Sequence, residues 1–299
     1  MELIRKVAPT SATVLITGES GTGKELVAHA IPALSKRAQH PFIALNCGSF
    51  SEALISSELL GHARGAFTGA VMDRAGLIRE AGKGTLFLDE IATTKQNFQI
   101  VLLRVLEQRM ARPVGAGAEY PVACRFIAAA NRDLGRMAAE GEFREDLFYR
   151  LNMFNIHLPP LRERREDIPV LTNFFLLQAS QEYGKKVNGI SAEALRQLEE
   201  APWPGNVRQL RNAVERAVIL AEDHVLERRD FALPPALAVG HSDPLALPDA
   251  DFDQAMADYE RRLLAEAMRQ AGGNVSEAAR RLGMKRPRLC YRLKLLGLA

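Results

Sequence analysis

Cysteine is scarce in this 299-residue chain, and the three present, Cys47, Cys124 and Cys290, are scattered with no CxxC pair. That excludes a disulfide framework and a thiolate zinc site. The six histidines show no metal-ligand spacing and read as structural or exposed. No apolar run approaches the roughly 20 residues that span a bilayer. The N-terminus lacks the charged-then-apolar pattern of a signal sequence. No membrane partner is therefore expected, and the cytoplasm is the default location. Nor is there a strong excess of one charge: 39 basic residues face 36 acidic ones, for a net +3. A balance that small does not argue for a nucleic-acid partner by itself. Its distribution says more, because Arg280 to Lys294 holds seven basic residues and no acidic one. What remains is ordinary for a soluble globular chain: 47% hydrophobic and 25% charged residues, at a length that suits about two or three domains.

The most informative stretch is Gly18-Glu19-Ser20-Gly21-Thr22-Gly23-Lys24-Glu25. It follows a β-branched apolar run, residues 12–17, and precedes a helix-like run from Leu26 to Arg37. Strand, glycine loop and helix is the context of a phosphate-binding loop. Glycines let successive N–H groups turn inward around an anion, and the helix that follows aims its positive end at the same anion. Lys24 is placed to reach β- and γ-phosphates. The residue after it is Glu25, so the hydroxyl that usually ligates magnesium is missing.

Further strand-like runs follow at 41–46, 84–90, 124–131 and 154–158, separated by helical stretches. Such alternation predicts an α/β fold with a parallel sheet covered on both faces. Ligands in such sheets bind beyond the carboxyl ends of strands, where Asn46, Asp89, Glu90 and Asn131 fall. An acid ending a buried strand beside a phosphate loop can hold magnesium, as Asp89 is placed to do. Glu90 can orient and polarise an attacking water. Arg144 and Arg150 lie in Phe143–Leu151. Phosphoryl-transfer sites often borrow an arginine from a neighbour, but the spacing alone favours a pair of salt-bridging surface arginines. Between two helix-like pieces, 56–60 and 74–80, residues 61–70 are rich in glycine and alanine and predict a mobile, hairpin-like loop. Phe67 at its centre is open to two readings, a partner contact or a tucked-in core residue.

Strand patterns stop after about residue 163. Helix starts at Asp167-Ile168-Pro169, at Ser191 and at Trp203-Pro204-Gly205-Asn206 predict a small all-helical subdomain, with Arg208 in the first turn of its third helix. Residues 236–250, with Gly240, Pro244 and Pro248, read as a linker. A long amphipathic helix over Phe252–Ala271, a helix from Val275 to Leu282, a turn at Gly283-Met284 and a basic helix from Pro287 to Leu296 make a helix-turn-helix pattern. Arg286, Arg288, Tyr291, Arg292 and Lys294 are its candidate contacts to phosphates or base edges.

Taken together, GESGTGKE at 18–25, GAFTGA at 65–70, GTLFLDE at 84–90, FREDLFYRL at 143–151 and WPGNVRQLRN at 203–212 resemble the signatures of the sigma-54-dependent transcriptional activators of the NtrC family, in that family's order. Those proteins are AAA+ ATPases, and the resemblance covers essentially the whole chain. Its C-terminal run is similar to the family's Fis-type DNA-binding end. The resemblance implies four segments: an AAA+ α/β nucleotide-binding subdomain at 1–162, a helical lid at 163–235, a linker at 236–250 and a Fis-type helix-turn-helix domain at 251–299. It implies ATP and Mg2+ as cofactors, with Gly18 to Glu25 and Arg208 binding nucleotide, Asp89 serving magnesium and Glu90 as catalytic base. Asn46 would restrain Glu90, Asn131 would be the first sensor and Arg208 the second. Arg144 and Arg150 become fingers for a neighbour's ATP, which overrides the spacing argument. Gly65, Ala66, Phe67, Thr68, Gly69 and Ala70 would touch sigma-54. The implied partners are sigma-54 RNA polymerase, enhancer DNA and further copies of the chain, a dimer when inactive and most naturally a hexameric ring when active, in the bacterial cytoplasm at the nucleoid.

The sequence departs from the family at Ala63, where an acid usually precedes GAFTGA, at Ala130, where a threonine usually precedes the sensor asparagine, and at Ile91 to Lys95. Lys285 replaces a helix-capping serine, worth about 1 kcal/mol. The chain begins about a dozen residues before its first strand, so a sensory domain is either lacking or truncated, and the activating signal is unread. Two other classes stay in view. A nucleotide-assembled repressor would not need GAFTGA, and a remodelling chaperone would not need the helix-turn-helix.

Overall fold

The computed structural model describes residues 2–50, 52–67, 69–231, 260, 261, 264, 267–269, 271, 272 and 274–295. They fall into two units, 1–236 and 237–299, each described by itself. The expected linker and most of the expected Phe252–Ala271 helix lie outside the described residues.

Five parallel strands form the centre of the first unit: β1 (Val14–Thr17), β2 (Phe42–Asn46), β3 (Thr85–Asp89), β4 (Arg125–Ala130) and β5 (Phe154–His157), in the order β2-β3-β4-β1-β5. β3 is buried up to its last residue and β4 throughout, as near-continuous apolar runs require in a sheet covered on both sides. One face carries Val14, Ile16, Phe87, Ile127 and Ala129 against Ala28 and Ile31 of the helix Lys24–Ala33. The other carries Leu15, Leu86, Leu88, Phe126 and Ala128 against the helices Glu52–Leu60, Gln96–Gln108 and Glu145–Leu151. The register sets Asn46 opposite Asp89 and Thr17 opposite Ala130. Strand ends are therefore level, and the polar residues that close them share one edge. At the opposite end Arg125 is buried, its guanidinium donating to the backbone carbonyls of Val7, Ala8 and Ala12 and tying down the N-terminal segment.

Three local expectations need correction. The helix after the glycine loop stops at Ala33, not Arg37, one residue past Pro32, which lacks the N–H that would bond back to Ala28 and so weakens the last turn. The stretch 74–80 is not one helix. Arg74–Ala75 pairs antiparallel with Gly61–His62, and the helix begins at Leu77. Gly76 makes the break, since a Cβ there would sit 2.2 Å from backbone atoms of Leu60 and Gly61. The lid is not wholly helical, because Gly189–Ile190 and Val225–Leu226 pair as short parallel strands among the helices Asp167–Glu182, Ala192–Glu200 and Asn206–Leu220. The short antiparallel pair of Met110–Ala111 with Tyr120–Pro121 was not anticipated either. Two-residue strands leave no alternation to read. Trp203, 1% exposed, centres the lid core with Leu176, Leu198, Leu210 and Val214.

In the second unit Val275–Arg281 and Arg286–Leu295 are helices, with Gly283 at φ 63 in the turn between them. Asn274 caps the first by accepting from the N–H groups of Ser276 and Glu277. Ala278, Ala279, Leu289, Leu293 and Leu264 form its core. This is a helix-turn-helix, as the glycine turn and the alanine pair predict.

Candidate nucleotide site

Gly18, Gly21 and Gly23 all have positive φ, at 150, 78 and 100°. Gly21 leaves no choice of residue, because a Cβ would lie 2.3 Å from the carbonyl oxygen of Gly205 in the lid. Lys24 opens the helix, and its Nζ donates to the carbonyls of Gly18 (2.8 Å) and Glu19 (2.9 Å), folding the side chain back over the loop. The Thr22 hydroxyl donates to the Glu19 carbonyl at 2.8 Å. Burial holds the Lys24 ammonium below the usual lysine range; Arg208 adds to this, and the charges of Asp89 and Glu90 oppose it. An ammonium partly stripped of water is ready to exchange weak carbonyl contacts for phosphate oxygens.

A cavity of about 300 Å³ brings Ser20, Gly21, Gly23, Lys24, Glu25, Asp89, Glu90, Asn131 and Arg208 together. Residues drawn from β3, β4, the loop and the lid thus meet at the edge the register predicts. Phe175, Val207 and Arg211 complete the wall from the lid; the sequence reading did not single them out. Glu90 is left-handed, φ 54 and ψ 39, uncommon and costly for a side chain of this size. Its N–H donates to Asp89 Oδ1 at 2.9 Å, and its carbonyl accepts from the Thr93 hydroxyl at 2.8 Å. The kink turns Glu90 out of the strand beside Asp89. Cys47 lies near both acids; burial, reinforced by their charge, pushes its thiol up to about 12. It is a packing residue, not a nucleophile.

Asn46 caps the short turn after β2, its Oδ1 accepting the Gly48 N–H at 2.8 Å. A Cβ on Gly48 would stand 2.6 Å from Glu90 Oε2 and 3.3 Å from Asn46 Oδ1. Asn46 and Glu90 thus both approach the position a Gly48 side chain would take, with no hydrogen bond between them among the described contacts.

Arg144 and Arg150 do not line this cavity. Arg144 starts the helix Glu145–Leu151 and makes a two-pronged pair with Asp146 at 3.0 and 2.6 Å. Arg150 donates to the Leu106 carbonyl at 3.1 Å. The surface salt bridge expected from spacing is present for Arg144.

In the GAFTGA segment, Gly65 and Ala70 are joined by a backbone hydrogen bond of 2.9 Å. Phe67 is 37% exposed and meets the His62 ring edge-on at 5.0 Å, so it is neither fully presented nor tucked into the core. The loop leans on the segment that joins Met110–Ala111 to Tyr120–Pro121: Ala63 N–H donates to Val114 O, and a Cβ on Gly115 would lie 2.7 Å from that of Ala66. Thr68 lies outside the described residues.

In the second unit Arg286, Arg288 and Tyr291 are exposed, and Leu289 and Leu293 turn inward. Arg292 pairs with Glu260 at 3.2 Å while its side chain stays partly exposed. The Lys294 side chain lies outside the description.

The sigma-54 interaction domain profile matches residues 1–157, more than half of the chain. The chain belongs to that family. The AAA+ ATPase lid domain profile matches residues 162–244 of this family member, and the Fis-family profile of bacterial regulatory proteins matches 255–295. It is 46% identical over 290 residues to the transcriptional regulatory protein ZraR of Escherichia coli K12, and 47% identical over 286 residues to the nitrogen fixation protein VnfA of Azotobacter vinelandii. These alignments take in 97% and 95% of this chain but 65% and 54% of the relatives, so the chain spans less than two thirds of the length of the curated relatives it matches. Crystal structures of NtrX from Brucella abortus superpose with TM-scores of 0.75 (ADP complex, 38% identity) and 0.73 (ATP complex, 37% identity), covering 99% of this chain and 66% of NtrX. The sigma-54-dependent activator family, the AAA+ fold with its lid and the helix-turn-helix are thereby established.

Proposed function

We propose that this family member hydrolyses ATP and uses the energy to remodel a sigma-54 RNA polymerase closed complex, while its C-terminal unit binds enhancer DNA. The observation that carries the reading is the meeting of Lys24, Asp89, Glu90, Asn131 and Arg208 around one cavity. The ADP and ATP complexes of NtrX support a nucleotide as its ligand.

Glu90 takes the proton of the attacking water, the water oxygen bonds to the γ-phosphorus, and the bond to the ADP oxygen breaks. Lys24 and the loop N–H groups hold the phosphates, Asn131 orients the water or γ-phosphate, and Arg208 reads the nucleotide from the lid. The donor set fits Mg2+, which Asp89, oriented by the Glu90 N–H, would hold and which would neutralise phosphate charge when bound. Glu25 in the hydroxyl's place leaves that role to water. Asn46 is read as the residue that restrains Glu90, through the turn they share at Gly48.

The transferring phosphate also needs a cation on its far side, and Arg144 and Arg150 are its source only from a neighbouring subunit, which favours a ring, hexameric in our reading, over the inactive dimer. Tyr149 and Met153, exposed beside these arginines, are apolar surface that such an assembly would cover.

The GAFTGA loop, residues 65–70, is assigned to sigma-54. Thr68→Ala and Phe67→Ala are each expected to keep ATP turnover within about twofold and to lose open-complex formation by at least about tenfold, the scale of a lost hot-spot contact. Transcription at the normal rate by both variants would remove the loop from the mechanism. For DNA, Arg288→Ala is expected to weaken enhancer binding and to lower the salt slope by about one counterion. Arg292→Ala, whose partner is Glu260, is expected to cost less. Fluorescence anisotropy over a salt series checks both, and unchanged affinity in Arg288→Ala contradicts the assignment.

A further inference from the structure

The turn that opens the Asn206–Leu220 helix touches the phosphate loop at three successive residues. Gly205 abuts Gly21, and the Arg208 N–H donates to the Gly21 carbonyl at 3.3 Å. Arg208 Nη1 reaches the Ser20 hydroxyl at 3.3 Å. The centre of the contact is Asn206, fully buried and left-handed at φ 52. Its Nδ2 donates to Glu19 Oε2 at 3.1 Å and to the Ser20 carbonyl at 3.0 Å, and its Oδ1 accepts the Leu161 N–H at 2.7 Å. Every hydrogen-bonding direction of the amide except one acceptor lone pair is thus committed. Glu19 in turn is gripped by Arg162 in a two-pronged pair of 2.6 and 2.8 Å. The backbone carbonyl of Glu19 itself is one of the two on which Lys24 Nζ rests.

We infer that Asn206 and the Glu19–Arg162 pair form a latch that positions the phosphate loop from the lid, so that ATP affinity is set by the lid as well as by the loop. The argument is geometric. Lys24 must leave the carbonyls of Gly18 and Glu19 to reach phosphate. The loop keeps its shape in that exchange only if Glu19 and Ser20 are held from elsewhere, and the residues holding them belong to the lid and its approach. Arg208, which lines the cavity, lies two residues further along the same helix. Movement of the lid and release of Lys24 are therefore mechanically joined at Glu19. Asn206 is a positioning residue; it does not line the cavity.

The inference rests on the nucleotide reading above. The test uses three variants of the full chain: Asn206→Asp, Glu19→Gln and the two combined. Asp tolerates the left-handed backbone as Asn does, keeps the acceptor for Leu161, and sets a carboxylate against that of Glu19 (a like-charge contact in a buried place). The double variant restores one amide facing one carboxylate with the partners exchanged. Binding of a fluorescent ATP analogue and steady-state ATP hydrolysis are both measured, with thermal melting of each variant. Asn206→Asp is expected to raise the analogue Kd and the KM for ATP by about tenfold, with kcat reduced about twofold or less. The double variant is expected to recover part of the loss, with a Kd clearly below that of Asn206→Asp, because the 19–206 pair is restored while the Ser20 carbonyl loses its donor and Arg162 keeps one of two acceptors. A folded Asn206→Asp with unchanged Kd overturns the latch. So does a folded double variant as weak as the single one, since a role confined to packing gives no reason for the exchange to rescue. If the parent binds the analogue but does not hydrolyse ATP, the hydrolysis reading fails while the latch is still decided by Kd.

Discussion

Glu90→Gln binds ATP and does not turn it over. The exchange keeps size and hydrogen-bonding reach and removes only the basic oxygen. It also keeps the left-handed backbone at the same cost, because Gln and Glu meet the same steric limit at φ 54. Binding is assigned to Lys24, the loop N–H groups and Arg208, none of which changes. The expected loss in kcat is about 10²–10⁴-fold, the range of a general base, or about 3–5 kcal/mol of barrier. Steady-state phosphate release gives the rate, and a fluorescent nucleotide gives the Kd. Turnover within tenfold of the parent would remove Glu90 as the base and leave its left-handed geometry without a chemical reason. Loss of binding together with turnover would place it in the binding set instead.

Arg144→Ala is expected to match that defect by another route. An arginine finger is worth about 10³–10⁵ in rate where it has been measured. Arg144 is absent from the cavity of its own chain and holds Asp146 on an exposed helix start. An exposed pair of this kind adds little to stability, about 0–1 kcal/mol, so removal is expected to leave the fold intact. It is free to exchange Asp146 for a neighbour's phosphate. The decisive form of the experiment mixes two dead proteins. Glu90→Gln subunits keep the finger, and Arg144→Ala subunits keep the base. With random mixing in equal amounts, about a quarter of sites carry an intact base beside an intact neighbouring finger, so about a quarter of parent activity is expected. No recovery on mixing, with assembly intact, contradicts delivery in trans.

The legible parts of this chain are those coded by contiguous residues. Four strands are visible as apolar runs closed by a polar residue and the fifth as the short run 154–158 before two prolines, and the glycine loop is visible because its flanks are a strand and a helix. The level strand ends then carry Asn46, Asp89 and Asn131 to one edge without further information. What was not legible depends on separation or on backbone shape. Glu19 meets Arg162 across 143 positions and Asn206 across 187, and no periodicity reports such a pairing. The left-handed state of Glu90 is a property of the kink after β3, invisible in an acidic dipeptide. Gly76 looked tolerable in a helix until two backbones were seen to pass beside it. Arg292 looked like its basic neighbours, and only the packing of the helices gave it Glu260. Arg144 is the reverse case, since local structure returns the surface salt bridge that spacing implies, while Arg150 turns to the Leu106 carbonyl, and the finger role of both enters through family resemblance.

The central claim is that the site is half of a catalytic centre, completed by the next subunit. It is tested most directly by ATP hydrolysis per subunit as a function of protein concentration, at saturating ATP. The expected result is a cooperative rise from near zero to a plateau, with the midpoint moving together with the assembly transition seen by light scattering. Specific activity that is independent of concentration, down to where the chain is monomeric, would contradict it.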